Sequence, residues 1–188
     1  MSLSYNLMIA EQAVDYVGSI VKQGAENKPI DIVHSQMRGG DLVMGSVRNQ
    51  RTRVGSHEEK AMYHDAAAIA KNTQKGNCAE QATIAFEYLS TKVRQSSLCL
   101  VTLGSDHVCV MIGPPDDYTA GSNHEESLMD PPANWASDAV VCDPWYHEWF
   151  GVNKDWTRGL YSILRVTHPS DAKLKTAKIH VIDQQSFA

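Results

Sequence analysis

Two short apolar runs, 97–103 (SLCLVTL) and 106–112 (DHVCVMI), flank the pair Gly104-Ser105, and no other stretch limits the fold of this chain so tightly. Each run is too short for a typical helix. A glycine opening a two-residue link suits the positive φ of a type II′ turn, so an antiparallel hairpin is expected. A third apolar run, 139–143 (AVVCD), follows, and runs 160–166 and 177–182 read as further strands. Helical patterns all lie ahead of the hairpin. The expected class is therefore α+β, with helices packed on one side of an antiparallel sheet.

Those helical patterns are three. Over residues 5–23, Leu7, Ala10, Val14, Val17 and Val21 form one stripe with Ile9, Ala13, Tyr16 and Ile20 beside it, ended by Gly24. Residues 25–55 are irregular, with room for one short helix or strand, and His34 and His57 read as solvent-facing. Ser56-His57-Glu58-Glu59 is a capping box for a second helix to about Asn72, with Met62, Ala66, Ile69 and Ala70 inward. Gly76 breaks it. A third helix then runs from Cys78 to about residue 94 and offers Ala82, Ala85, Phe86 and Leu89 to a core.

At 188 residues the chain fits a single domain, 1–188, with 1–55 as a helical N-terminal extension and 74–146 as the functional core. Its 43% apolar and 21% charged content is that of a folded globular protein. A net charge of -5 argues against nucleic acid and anionic lipid as partners, and the basic run 48–53 lacks aromatics and reads as a solvated loop. No apolar run reaches membrane-spanning length, and the first residues lack the charged start and apolar stretch of a secretory signal. Cys99, Cys109 and Cys142 sit inside strand runs and read as small core residues in a reducing setting; no CxxC spacing suggests zinc.

Between the second and third strands lies a long insertion, 114–138, with six acids, four prolines and no lysine or arginine. It reads either as a lid that selects substrate or as an acidic excursion without a role. The residues after Asp143, Pro-Trp-Tyr-His-Glu-Trp-Phe, read as a turn or short helix, from which Trp145 and Trp149 either wall a cleft or pack in the core.

Cys78 follows the helix-opening pair Gly76-Asn77, so its sulfur is expected at the positive end of a helix dipole among unpaired N–H groups, where a thiolate is favoured. Alone, it is equally well a buried helix cysteine. Strand alternation places His107, Cys109 and Met111 on one face, and in the third strand Ala139, Val141 and Asp143 on one face. If the two strands are neighbours, His107 and Asp143 meet at one end of the sheet. Cys78 can then serve as nucleophile, His107 as base and Asp143 as orienting carboxylate, converging in one open crevice. Asp106 is a rival carboxylate, but as the strand neighbour of His107 it should point the other way. His107 as an ordinary half-buried histidine and Asp143-Pro144 as plain turn chemistry are the competing readings.

The GNC helix, the DHVCVMIG strand and the VVCDPW strand, with Cys78, His107 and Asp143 at spacings of 29 and 36 residues, resemble the transglutaminase-like and papain-like cysteine hydrolases. The resemblance covers about residues 74–146. It implies Cys78 as nucleophile, His107 as general base and acid, Asp143 as the third member, no cofactor and no metal. It implies acyl transfer at amides of a protein substrate: peptide cleavage, glutamine deamidation, or transfer to an amine. Compact members occur among bacterial effectors and toxins, which implies delivery without a signal peptide into the reducing cytosol of a host.

Two departures are visible. Ala79 stands where an aromatic commonly follows the nucleophile, and Cys109 where a tryptophan often follows the histidine, which favours water over an amine as acceptor. The backbone N–H of Cys78 is the natural first oxyanion donor; Gln74 is the side-chain candidate for the second, or else a solvated glutamine. Asn77 is expected to cap the third helix. Two rivals remain: an acyltransferase or transamidase with the same triad, and a binding domain in which the three residues are structural. A metal site from His107, Cys109, Cys142, Asp143 and His147 is disfavoured, because alternation sends Cys142 and Asp143 to opposite faces.

Overall fold

In the computed structural model the described residues are 2–25, 59–93, 98–103, 107–115, 118, 122–127, 135–152 and 176–180. Three helices, α1 (Leu3–Ile20), α2 (Glu59–Thr73) and α3 (Cys78–Ser90), precede six strands. These are β1 (Leu98–Leu103), β2 (His107–Ile112), β3 (Asn123–Ser127), β4 (Val140–Asp143), β5 (Glu148–Gly151) and β6 (Thr176–His180). The expected antiparallel pairing of β1 and β2 is there, but Leu103 lies opposite His107 and Leu98 opposite Ile112, a register that leaves three residues between the strands and not the expected two. The strands form one sheet in the order β3-β6-β1-β2-β4-β5, with antiparallel pairing throughout. The fold is α+β.

Helices cover one face of that sheet. Ile9, Ala13 and Val17 of α1, Ala67 and Ala70 of α2, and Ala82, Phe86 and Leu89 of α3 pack against Leu98, Leu100, Val110, Ile112, Val140 and Cys142. The opposite face carries Cys99, Val101, Cys109, Met111, Val141 and Phe150, packed with Tyr118 and Trp135 of the insertion and with Val152. Strands buried on both faces have no polar side, which is why β1, β2 and β4 read as unbroken apolar runs. Cys99, Cys109 and Cys142 are core residues with free thiols, as expected.

Three points differ from or add to the sequence reading. First, α1, within the expected N-terminal extension 1–55, is packed into the core. It packs on α3, β4 and β5, and Asn6 Nδ2 donates to Asp138 O at 2.7 Å while Cys142 Sγ donates to Ala10 O at 3.6 Å. Second, the insertion 114–138 is not one loop. It contains β3, which pairs along β6 at the sheet edge, and it supplies Tyr118 and Trp135 to the core. Asn-His-Glu-Glu-Ser carries no strand pattern because an edge strand joined by backbone pairing needs no apolar face, and charge there deters pairing with another chain. Third, Glu148, Trp149 and Phe150 are strand, not turn or helix. The turn is Pro144 to His147 alone, and His147 has a φ of 59°, a left-handed conformation that reverses the chain into β5.

No described helix is long and apolar enough to cross a membrane. The irregular stretch with His34 and His57, the box residues 56–58, the link 104–106 and the run 160–166 fall outside the described residues.

Candidate functional site

The site begins with the break between α2 and α3. Gln74 adopts a left-handed φ of 56°, turning the chain out of α2. At Gly76 a Cβ would lie 2.9 Å from Glu80 Cβ and 3.4 Å from Ala70 Cβ, so only glycine lets the chain fold back this tightly. Asn77 is the N-cap residue of α3 in extended conformation, and its N–H donates to Glu80 Oε2 at 3.0 Å. The buried amide of Gln81 donates from Nε2 to Gly76 O at 2.7 Å. These two ties fix the first turn of α3, and Cys78 is its first residue.

His107 opens β2 and Asp143 closes β4, at the same end of the sheet because the strands are antiparallel. The register pairs Val110 with Cys142, so its continuation sets Asp143 beside Cys109, diagonal to His107 and on the same face. His107 Nε2 donates to Asp143 Oδ2 at 2.6 Å, and Asp143 Oδ1 accepts the Tyr146 N–H at 3.2 Å. The carboxylate is fully buried and His107 is 3% exposed.

Cys78 completes the set from the helix side. Its side chain lies within hydrogen-bonding reach of the His107 ring, whose Nε2 is committed to Asp143. Burial alone pulls the imidazole pKa down. The Asp143 charge and hydrogen bond, followed by the hydrogen bond and charge of Cys78, outweigh it and raise the ring to about 10. A charged ring bonded to the Asp143 carboxylate and beside the Cys78 sulfur is the result. Such a ring can hold a proton taken from sulfur and hand it on to a leaving group.

Of the expected site residues, Cys78, His107 and Asp143 thus meet. Gln74 has its side chain exposed, and its carbonyl accepts from Gln23 N at 3.0 Å; the buried glutamine of this turn is Gln81. Trp145 walls the site, its ring 5.6 Å from that of His107 and packed on Cys78. Trp149 instead packs on the helix side of the sheet. Cys142 and Asp143 do face opposite ways, as alternation requires. His147 is exposed on the turn.

Two residues of the site were not singled out from sequence. Tyr146 stands edge-on to His107 at 5.3 Å and to Trp145 at 4.6 Å, while its backbone holds Asp143. Its signal was the position three after an Asp-Pro strand end, where a turn N–H returns to the aspartate. Ala25, fully buried, belongs to one cluster with Cys78 and Trp145 and had no signal at all. With these neighbours in place Cys78 is only 7% exposed, so the expected open crevice is a nearly covered one.

Burial pushes the thiols of Cys99, Cys109 and Cys142 well above the ordinary range. For Cys109 the nearby Asp143 charge adds to the effect. No protein-family model, curated protein or solved structure matches the chain.

Proposed function

We propose that this chain is a cysteine-nucleophile amide hydrolase that acts on a protein substrate, by peptide-bond cleavage or glutamine deamidation. The observation that carries the reading is the His107 ring held between the Cys78 sulfur and the Asp143 carboxylate. The arrangement is similar to that of the transglutaminase-like and papain-like hydrolases, in which a helix-opening Cys meets a strand-opening His and an Asp that ends the neighbouring strand.

In this mechanism Cys78 sulfur attacks the amide carbonyl, its proton having passed to His107. The carbonyl oxygen becomes an oxyanion beside the backbone N–H of Cys78 at the positive end of α3. His107 then protonates the departing nitrogen as the C–N bond breaks, leaving a thioester on Cys78. Water attacks the thioester while His107 takes its proton, the C–S bond breaks, and the acid leaves with the thiol restored. Asp143 holds the ring in orientation throughout. Ala79 and Cys109, in place of the aromatics common in the resembled family, favour water over an amine as acceptor.

Incubation with glutamine-bearing and unstructured protein substrates, read by mass spectrometry, tests this reading. Wild type should give amide-to-acid conversion or cleaved chains, and Cys78→Ala should give neither while unfolding at the wild-type midpoint. Turnover retained by Cys78→Ala refutes the mechanism. Adducts formed when a small amine is added would make the enzyme a transamidase instead. The near-complete cover of Cys78 and His107 favours one second reading, a binding domain whose polar trio is structural. In that case Cys78 resists alkylation as its buried fellows do.

A further inference from the structure

We infer that residues 23–25 are a strap that positions the nucleophile, with Ala25 seating Cys78 against His107; this rests on the reading of Cys78, His107 and Asp143 as one reactive set. The strap leaves the end of α1, where Val21 N still donates to Val17 O at 2.8 Å. Gly24 then turns the chain at a φ of 81°, which a residue with a Cβ rarely adopts. Gln23 N donates to Gln74 O at 3.0 Å and Gly76 N donates to Gly24 O at 3.2 Å, forming a one-rung parallel bridge between Gly24 and Lys75. The strap is thereby fixed to the three residues that lead into Asn77 and Cys78.

Ala25 follows at once. It is fully buried in a cluster with Cys78 and Trp145, and Trp145 in turn flanks the His107 ring. One methyl group therefore shares a single buried cluster with the nucleophile and the aromatic wall of its base. Close-packed interiors do not absorb added methyl groups without moving a neighbour, and here the neighbours are Cys78 and Trp145. Because α1 packs on α3 and on β4, the helix that anchors the strap also spans the elements that carry Cys78 and Asp143. Reaction rates depend steeply on sub-ångström placement of such pairs, so Ala25 acts through Cys78 as a positioning residue.

The test is alkylation of Cys78 by iodoacetamide in the full chain, followed site by site with mass spectrometry from about pH 5 to 9. Residues 23–25 carry no titratable side chain. The groups that face the pair and shape the profile are His107 and Cys109 from β2, Asp143 from β4 and Tyr146 from the turn after it. Ala25→Val should slow alkylation at about pH 6 by roughly tenfold and displace the pH profile of the reaction. Ala25→Gly, which keeps the fold should the valine variant lose it, should slow it in the same direction by about twofold. Leu89→Ala, deep in the helix-side core, should lower stability and leave both rate and profile unchanged.

Wild-type rate and profile in both Ala25 variants, or an equal slowing in Leu89→Ala, overturns the strap as a positioning element. Failure of the underlying reading has a different mark. Wild-type Cys78 would then show an ordinary-thiol profile that His107→Ala leaves in place, and the inference falls with it.

Discussion

His107 is held between a carboxylate and a thiol, and that placement has a consequence for stability as well as for chemistry. Its ring is raised from 6.5 to about 10 in the folded chain. Between those values the folded state binds a proton that the unfolded state has lost, so stability falls as pH rises. The contribution is complete below 6.5 and gone once pH has passed through about 10. Urea midpoints measured across that window should decline in wild type and decline less in His107→Gln. For activity, Asp143→Ala should lower kcat/KM by on the order of a thousandfold, because the ring loses both its orientation and its counter-charge. All three site residues were legible in the sequence, since helix start, strand start and strand end are places that spacing and alternation can fix. Tyr146 and Ala25 were not, because each acts through a contact that only the folded chain creates.

Among the elements, α3 carries the most. Its inward stripe of Ala82, Ala85, Phe86 and Leu89 is fully buried, as the spacing predicts. Phe86→Ala should cost about 3–5 kcal/mol in denaturant unfolding, since a cavity of that size under the sheet cannot collapse fully. Gly76→Ala should cost about 1–3 kcal/mol, because its Cβ has no room beside Glu80, and Cys78 should lose reactivity as its turn shifts. Urea titration and alkylation of the same samples check both effects. The hairpin strands and the two well-patterned helices were legible because burial demands period and length. The edge strand β3 and the strand β5 were hidden, the first by its polar residues and the second by a Trp-Tyr-His turn that looks continuous with it.

At the scale of the whole molecule, the chain surrounds its site with segments far apart in sequence. α1 and its strap lie ahead of Cys78, the hairpin supplies His107, β4 supplies Asp143, and the turn after it supplies the aromatic wall. Helices line one face of the sheet while the insertion helps to cover the other, so His107 and Asp143 lie on the face away from the helices and Cys78 joins them at the sheet end. The helical side was legible from amphipathic spacing; the cover on the far face was not, because Tyr118 and Trp135 are isolated aromatics in an acidic stretch. These parts converge on one sulfur, Cys78, among four thiols. Competitive labelling of all four cysteines with iodoacetamide at about pH 6 tests its reactivity directly. Cys78 alone should be modified, and His107→Ala should abolish its advantage, whereas a Cys78 as inert as Cys99, Cys109 and Cys142 would contradict a catalytic site.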